Sequence, residues 1–399
     1  MGRARLLDIT RLVSRAGLPP TGVDRVEFAY LDGFLRDGGA GVWGLARTAL
    51  GFVLLDHAGL TAFRDAVRAR DFPYPDILSR LNRNLSPAAR RGQSFVRWRA
   101  VARSRAHRLG ALLRRMPAEF VYYNVGHSNL TEQVLDTVAA HESARIAVLV
   151  HDTIPLDHPD FQRFGSAPRF RKMLTVATRH ADHFVCGTQA VAADIERHVG
   201  SAMTRPGIVV APLGVTPPRP APETLPPGLM PLRPFFVMLG TIEPRKNHAL
   251  LLDIWDDWGP GAPELLIVGR RGWRCEDVFA RLDEGVAHVR EVQGLGDGAV
   301  AALLERAHGL LFPSLAEGYG LPPVEAAAMG VPVICSDLAA CREVMRDWPV
   351  YADPSDRYGW EKQIKRLLHE SGPTRWPPMT PPGWAAHLEA VTSATGAGT

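Results

Sequence analysis

Hydrophobic residues along the chain gather into short unbroken runs, each followed by a longer stretch in which they recur at helical spacing. In the first half such runs lie at Arg5–Ile9, Gly51–Leu55, Phe120–Tyr123, Ile146–Val150 and His183–Cys186. In the second half they lie at Phe235–Leu239, Leu265–Val268, Val289–Val292, Gly309–Phe312 and Val331–Cys335. Unbroken Val, Ile and Leu suit strands covered on both faces, as in a parallel sheet between layers of helices. Strands alternating with helices predict right-handed βαβ units and open, doubly wound sheets. Nine prolines between Pro212 and Pro234 rule out a helix or a central strand there and predict a stiff, extended linker. A second proline cluster, Pro377 to Pro382, precedes a last helical segment, Trp384–Val391. The pattern predicts an α/β chain of two doubly wound, Rossmann-like domains facing each other across a cleft. They would be an N-terminal domain (1–215), a linker (216–234), a C-terminal domain (235–375) and a segment (376–399) crossing back to the first domain. Open parallel sheets bind ligands at the carboxyl ends of their strands, so the cleft is the expected active site.

Composition changes this picture little. Of 399 residues, 46% are hydrophobic and 22% charged, which fits two ordinary soluble domains. No run approaches the roughly 18–20 apolar residues of a membrane span. The start, MGRARLLDITRLV, lacks the apolar core and cleavage site of a signal peptide, so a cytoplasmic location is expected. Cys186, Cys275, Cys335 and Cys341 form no C-x-x-C pair and are expected to be reduced thiols.

Charge is more informative. The net charge is only +4, but eleven arginines and no acidic residue fall between Ile77 and Ala118. Phe95, Trp98, Val101/Ala102, Leu109, Leu112/Leu113 and Met116 fall at helical spacing, with arginines on the opposite face, which predicts a helix over 92–116. Two readings stand side by side: a helix lying on anionic lipid at the inner face of a membrane, or one packing its stripe on its own domain. No RRM, KH or zinc pattern accompanies the basic charge, so nucleic acid is not an expected partner.

The densest chemical signal is LFPSLAEGYGLPPVEAAAMGVPVICSD, Leu311 to Asp337. A strand ends near Pro313, a glycine-bearing loop follows, and Pro322–Pro323 suit the first turn of a helix. Glu317 is placed in the loop and Glu325 in that first turn. Gly318 and Gly320 allow backbone N–H groups close to a ligand, and a helix N-terminus favours an anion such as a diphosphate. The two carboxylates can accept hydrogen bonds from hydroxyls at either end of that diphosphate. The second signal is GTIEPRKNH, Gly240 to His248, directly after the strand Phe235–Leu239. Asn247 is a candidate N-cap for a helix His248–Trp258, which leaves Arg245 and Lys246 beside a positive helix end. A bound diphosphate would resolve that conflict.

The string from Pro313 to Ala326 resembles the P-S-x-x-E-G-F/Y-G-L-P-x-x-E-A pattern of family-4 glycosyltransferases (glycosyl transferases group 1). The GTIEPRKNH stretch is similar to the donor-phosphate loop of the bacterial mannosyltransferase-like members. The resemblance is closest over 235–357, looser over 1–30 and 119–215, and lacking over 31–118. It implies the GT-B fold, with Glu317 contacting the transferred sugar and Glu325 the nucleotide ribose. Gly240, Thr241, Tyr319 and Leu321 would join the donor site, while Gly269 and Leu295 would lie in loops around the base. In the first half, T-G-V-D-R-V resembles bacterial members and brings Gly22 near the donor. His151, in AVLVHDTIP, resembles the family histidine that contacts a donor-sugar hydroxyl. His127, in VYYNVGHSN, and Asp152 are further candidates for the cleft.

The implied activity is retaining transfer of a hexose from a nucleoside-diphosphate sugar to a hydroxyl of a growing polysaccharide or lipid-linked glycan. GTIEPRKNH points toward GDP-mannose. His151, Arg245, Lys246 and Glu317 would be the catalytic set. The sequence holds no D-x-D, so neither a metal clamp nor another cofactor is expected. Two other classes remain open. One is a GT-B nucleotide-sugar epimerase or hydrolase, which would consume donor without acceptor. The other is a catalytically silent sugar-nucleotide-binding scaffold in a polysaccharide assembly complex.

Overall fold

The computed structural model describes residues 2–37, 41–200, 206–369 and 375–398. The predicted domain boundary at 375 borders residues 370–374, which lie outside the described residues. Among the described residues the strands form two sheets, of eight and six. The first contains β1 (Ala4–Asp8), β2 (Val42–Thr48), β3 (Gly51–Leu55), β4 (Ala102–Ser104), β5 (Phe120–Asn124), β6 (Ala144–Leu149), β7 (His183–Cys186) and β8 (Gly207–Val210), in the order β4-β3-β2-β1-β5-β6-β7-β8. The second contains β9 (Phe235–Leu239), β10 (Glu264–Val268), β11 (Val289–Val292), β12 (Gly309–Phe312), β13 (Val333–Ser336) and β14 (Val350–Ala352), in the order β11-β10-β9-β12-β13-β14. Every pairing in the second sheet is parallel.

The core follows from strand alternation. Leu7 of β1 faces one cluster and Leu6 the other, so helices cover both sides of the sheet. Leu7, Val121 and Tyr123 share their cluster with Val237, Leu239 and Phe312, so one apolar core runs from the first domain into the second. The helix Trp384–Thr395 packs on the N-terminal domain. His387 Nε2 lies 2.8 Å from the Tyr30 hydroxyl, and Thr395 Oγ1 2.7 Å from that of Tyr123.

The first sheet is not parallel throughout. β3–β4 is antiparallel, and so is β2–β3, where only Ala49 and Leu50 separate the strands, far too little chain for a crossover. The strands missing from the sequence reading are β2, β4, β8 and β14. Gly44, Arg47 and Thr48 break the apolar run of β2, and β4 and β14 have three residues each, too few to form a run.

Residues 92–116 do not form one helix. The helix Pro87–Arg99 stops where Ala100 turns extended, and Ala102–Ser104 then pair with the sheet edge as β4. A 3-10 turn (Ala106–Arg108) and a short helix (Leu109–Leu113) follow. The expected stripe is consumed by packing. A Cβ on Gly92 would lie 2.0 Å from the Val13 carbonyl oxygen, so the first helix is pressed against its own domain. Val96 is buried there, and Leu109, Leu112, Leu113 and Met116 are buried on the opposite face of the sheet. Trp98 and Val101 remain exposed. No described helix is long and apolar enough to cross a membrane. All four cysteines are buried and unbridged.

Candidate active site

The second sheet reverses its winding between β9 and β12, which are neighbours, so the loops leaving their carboxyl ends diverge and leave a crevice. After β9 the chain passes Gly240 (φ 144°) and Thr241 and makes a 3-10 turn, Pro244–Lys246. A Cβ on Gly240 would meet Lys246 Cε at 3.3 Å, so glycine leaves room for the lysine to turn inward. After β12 the loop brings Glu317 to meet it. Lys246 Nζ lies 2.5 Å and Arg245 Nη1 2.7 Å from the same oxygen, Glu317 Oε1. Arg245 Nε also pairs with Glu243 at 2.6 Å, and the Leu315 N–H donates to the Arg245 carbonyl at 2.7 Å. The two loops are thereby stitched together.

Burial by itself would raise the Glu317 carboxyl, but Arg245 and Lys246 hold it down to about 2. Burial lowers the Lys246 ammonium from its ordinary value, against the pull of Glu317. Lys246 also lies 4.4 Å from the Phe312 ring centroid. Two cations thus face two carboxyl groups, Glu243 and Glu317, a set that an incoming anion can rearrange.

Gly320 (φ 85°) begins the helix Leu321–Ala328, with Pro322 and Pro323 in its first turn. Glu325 lies one position beyond that turn, a correction to its expected place, since the helix already starts at Leu321. Burial pushes the Glu325 carboxyl up, opposed by Arg25 of the other domain, whose Nη1 lies 2.6 Å from Oε1. Asn247 is no side-chain N-cap. Its backbone is left-handed (φ 57°), and its amide donates to the Pro354 carbonyl at 3.1 Å.

The N-terminal domain supplies its residues from the ends of β5 and β6. His151 Nε2 lies 2.8 Å from the Val125 carbonyl and His127 Nε2 2.7 Å from that of Leu149. A carbonyl only accepts, so each ring carries its proton on Nε2 and keeps Nδ1 as an acceptor. Burial lowers His151 to about 3 and His127 to about 4, so both are neutral, and their centroids are 5.1 Å apart. A neutral ring that accepts at Nδ1 suits a sugar hydroxyl. Asp152 accepts from the Ile154 N–H at 3.1 Å, and burial raises its carboxyl.

The domains meet where the β12 loop touches these strand ends. A Cβ on Gly318 would lie 2.3 Å from the His151 carbonyl oxygen, so this glycine permits the approach of the other domain. Tyr319, in the expected donor set, donates its hydroxyl to the Leu213 carbonyl at 2.7 Å, which commits its side chain to the domain junction. Gly22 starts the helix Gly22–Asp37, and a Cβ there would sit 3.7 Å from Leu321 Cδ1. A Cβ on Gly269 would lie 1.8 Å from the Gly240 carbonyl oxygen, so Gly269 lets the β9 and β10 loops lie against each other. Leu295, in the loop after β11, is half-buried against the central core. Arg25, Asp297 and Glu243 escaped the sequence reading. Arg25 stands within T-G-V-D-R-V, and its partners, 272 and 300 positions away, leave no local trace.

Residues 233–370 match the family model described as glycosyl transferases group 1. The C-terminal domain is a glycosyl transferases group 1 domain. Arg245, Lys246, Glu317 and Glu325 all lie inside it, whereas Gly22, Arg25, His127 and His151 lie outside. The chain is 31% identical over 231 residues to a serotype-specific mannosyltransferase, WbdA, of Escherichia coli, a match covering 52% of this chain and 28% of that protein. It is 37% identical over 115 residues to a phosphatidyl-myo-inositol mannosyltransferase of Mycobacterium leprae, covering 27% of this chain and 29% of that one. The chain thus spans less than a third of the length of these relatives. Among solved structures it is similar to Anabaena HepE in complex with UDP and glucose (TM-score 0.58, 14% identity, 99% of this chain and 95% of that one). It is also similar to sucrose-phosphate synthase from Thermosynechococcus elongatus (TM-score 0.59, 16% identity, 98% and 95%). The fold that joins the group 1 domain to its N-terminal partner is therefore GT-B.

Proposed function

We propose that the chain transfers a hexose from a nucleoside-diphosphate sugar to a hydroxyl of a growing polysaccharide or lipid-linked glycan, with retention at the anomeric carbon. The observation that carries this reading is the convergence of Arg245, Lys246 and Glu317 at the winding reversal of a group 1 domain, where the other domain presents neutral His151. A diphosphate arriving there takes over Arg245 and Lys246 and frees Glu317 for a sugar hydroxyl. The acceptor oxygen bonds to the anomeric carbon on the face from which the diphosphate departs. The bond to the diphosphate breaks, and a diphosphate oxygen takes the acceptor's proton. Catalysis is then positioning by His151 and Glu317 plus electrostatic stabilisation of the leaving group, with no protein nucleophile and no metal. A mannose donor, with guanine as base, is favoured by the GTIEPRKNH loop and by relatives that bear mannosyltransferase names.

The acceptor is proposed to be met on the cytoplasmic face of a membrane. Most of the stripe first expected to lie on lipid is packed in the core, but its exposed Trp98 and neighbouring residues of the same subdomain support the reading. Tyr74 is 92% exposed and Trp98 78%, with Ile77, Leu78 and Leu81 also exposed. Arg80, Arg83, Arg99, Arg103 and Arg105 are exposed along the same acid-free stretch. Apolar side chains among cations suit an anionic bilayer.

The test is to incubate the protein with nucleotide sugars and a membrane extract, following nucleotide release and, by NMR, the configuration of the product. Acceptor-dependent release with retained configuration is expected. Equal release without acceptor would indicate a hydrolase or epimerase instead.

A further inference from the structure

Arg25 stands near the start of the helix Gly22–Asp37 in the N-terminal domain, yet both its ion-pair partners belong to the other domain. Its Nη1 lies 2.6 Å from Glu325 Oε1 and its Nη2 2.6 Å from Asp297 Oδ1. Asp297 opens the helix Asp297–Arg306, directly after the β11 loop, and Glu325 stands on the helix Leu321–Ala328. Three helix N-termini therefore converge on one guanidinium. A cation at positive helix ends is unfavourable unless carboxylates hold it, so its position depends on Glu325 and Asp297.

A cavity of about 400 Å³ opens beside this pair. Phe28, Ala29, Val215, Leu321 and Trp384 form walls, and Arg25, Asp297 and Glu325 line it too. Its size and its mixture of apolar walls with a few polar groups are those of a small-ligand site. The guanidinium side chain is a third exposed, whereas the Lys246 side chain is nearly sealed in. Arg25 therefore has open space beside it into which it can swing.

We propose that Arg25 is a bolt across the nucleoside end of the donor site, holding Glu325 until a ribose displaces it. The inference rests on the donor-site reading above and deepens it. The vicinal hydroxyls of a ribose are donors, as the guanidinium is, and compete for the same carboxylate oxygens. Binding of a nucleoside unit then breaks an ion pair between domains, which couples occupancy of the site to their contact.

The test is isothermal titration of wild type and Arg25→Met, the variant keeping the apolar stem. The titrants are UDP, GDP and ADP, and the free nucleoside of whichever binds. Removing the competitor should tighten diphosphate and nucleoside alike, by about fivefold, the size of a partly exposed ion pair. In a Glu325→Gln background the same substitution should gain nothing. Weaker diphosphate binding with unchanged nucleoside binding would make Arg25 a phosphate ligand and overturn the bolt, as would no change in either. Both outcomes leave the donor-site reading standing, whereas binding by neither protein would overturn both. If Arg25→Met melts well below wild type, Arg25→Gln carries the same comparison.

Discussion

Glu317 Oε1 lies 2.5 Å from Lys246 Nζ, although 71 positions separate the residues and each follows a different strand. The contact exists because β9 and β12 are neighbours at the reversal of the sheet. Glu325 is likewise held by Arg25. Glu317 and Glu325 are thus both paired to cations, and in the proposed function each pairing is one that a nucleoside-diphosphate sugar would exchange.

Lys246→Ala should lower turnover by about 10²–10³-fold, the usual loss when one group stabilising developing charge is removed. Glu317 keeps Arg245 as a partner, so the variant should still fold cooperatively. Initial rates of nucleotide release, with a melting curve as control, check this. Wild-type rates would remove Lys246 from the mechanism.

The pH dependence of stability should report Glu317. Its folded value, about 2, is below the ordinary 4.5. Its contribution is therefore complete above about pH 4.5 and is lost as pH falls toward 2. Urea unfolding of wild type and Glu317→Gln across this window should show their difference in stability shrinking as the solution is acidified. A difference independent of pH would mean that the carboxylate is not held ionised.

Gly318→Ala should hinder closure of the domains. The added Cβ would lie 2.3 Å from a backbone oxygen of the other domain, which cannot rotate away as a side chain could. Nucleotide binding to the group 1 domain should survive while kcat falls by about tenfold or more, since catalytic groups must come from both sides of the cleft. Calorimetry and steady-state rates separate the two effects.

Sedimentation with vesicles tests the proposed membrane surface. Protein should pellet with anionic vesicles at low salt and not with neutral ones. The double variant Trp98→Ser, Leu81→Ser should bind about a hundredfold or more weakly, because each inserted side chain would contribute roughly 1.5–3 kcal/mol. Both side chains are exposed, so the melting temperature should hardly move.

The sheets were legible in the sequence wherever a strand was buried on both faces, because Phe235–Leu239 or Gly309–Phe312 can be little else. β4 and β14 were not, since three-residue edge strands are defined by their neighbours. The arginine-rich segment misled for a physical reason. Leu109 and Val96 share a helical stripe in sequence, but lie on opposite faces of one sheet once Ala102–Ser104 pairs with β3. In the site, Lys246 and Glu317 stand in dense local motifs. Arg25 and Asp297 gain meaning only from contacts across the cleft, which no spacing along the chain encodes.

The proposed function has the group 1 domain hold a nucleoside-diphosphate sugar with Glu325 on its ribose. It is tested most directly by thermal shift of wild type and Glu325→Ala with UDP, GDP, ADP, dTDP and their sugars. One nucleotide should raise the melting temperature of wild type, and Glu325→Ala, folded in its absence, should lose most of that rise. No stabilisation by any of these ligands, or an equal rise in the variant, would contradict it.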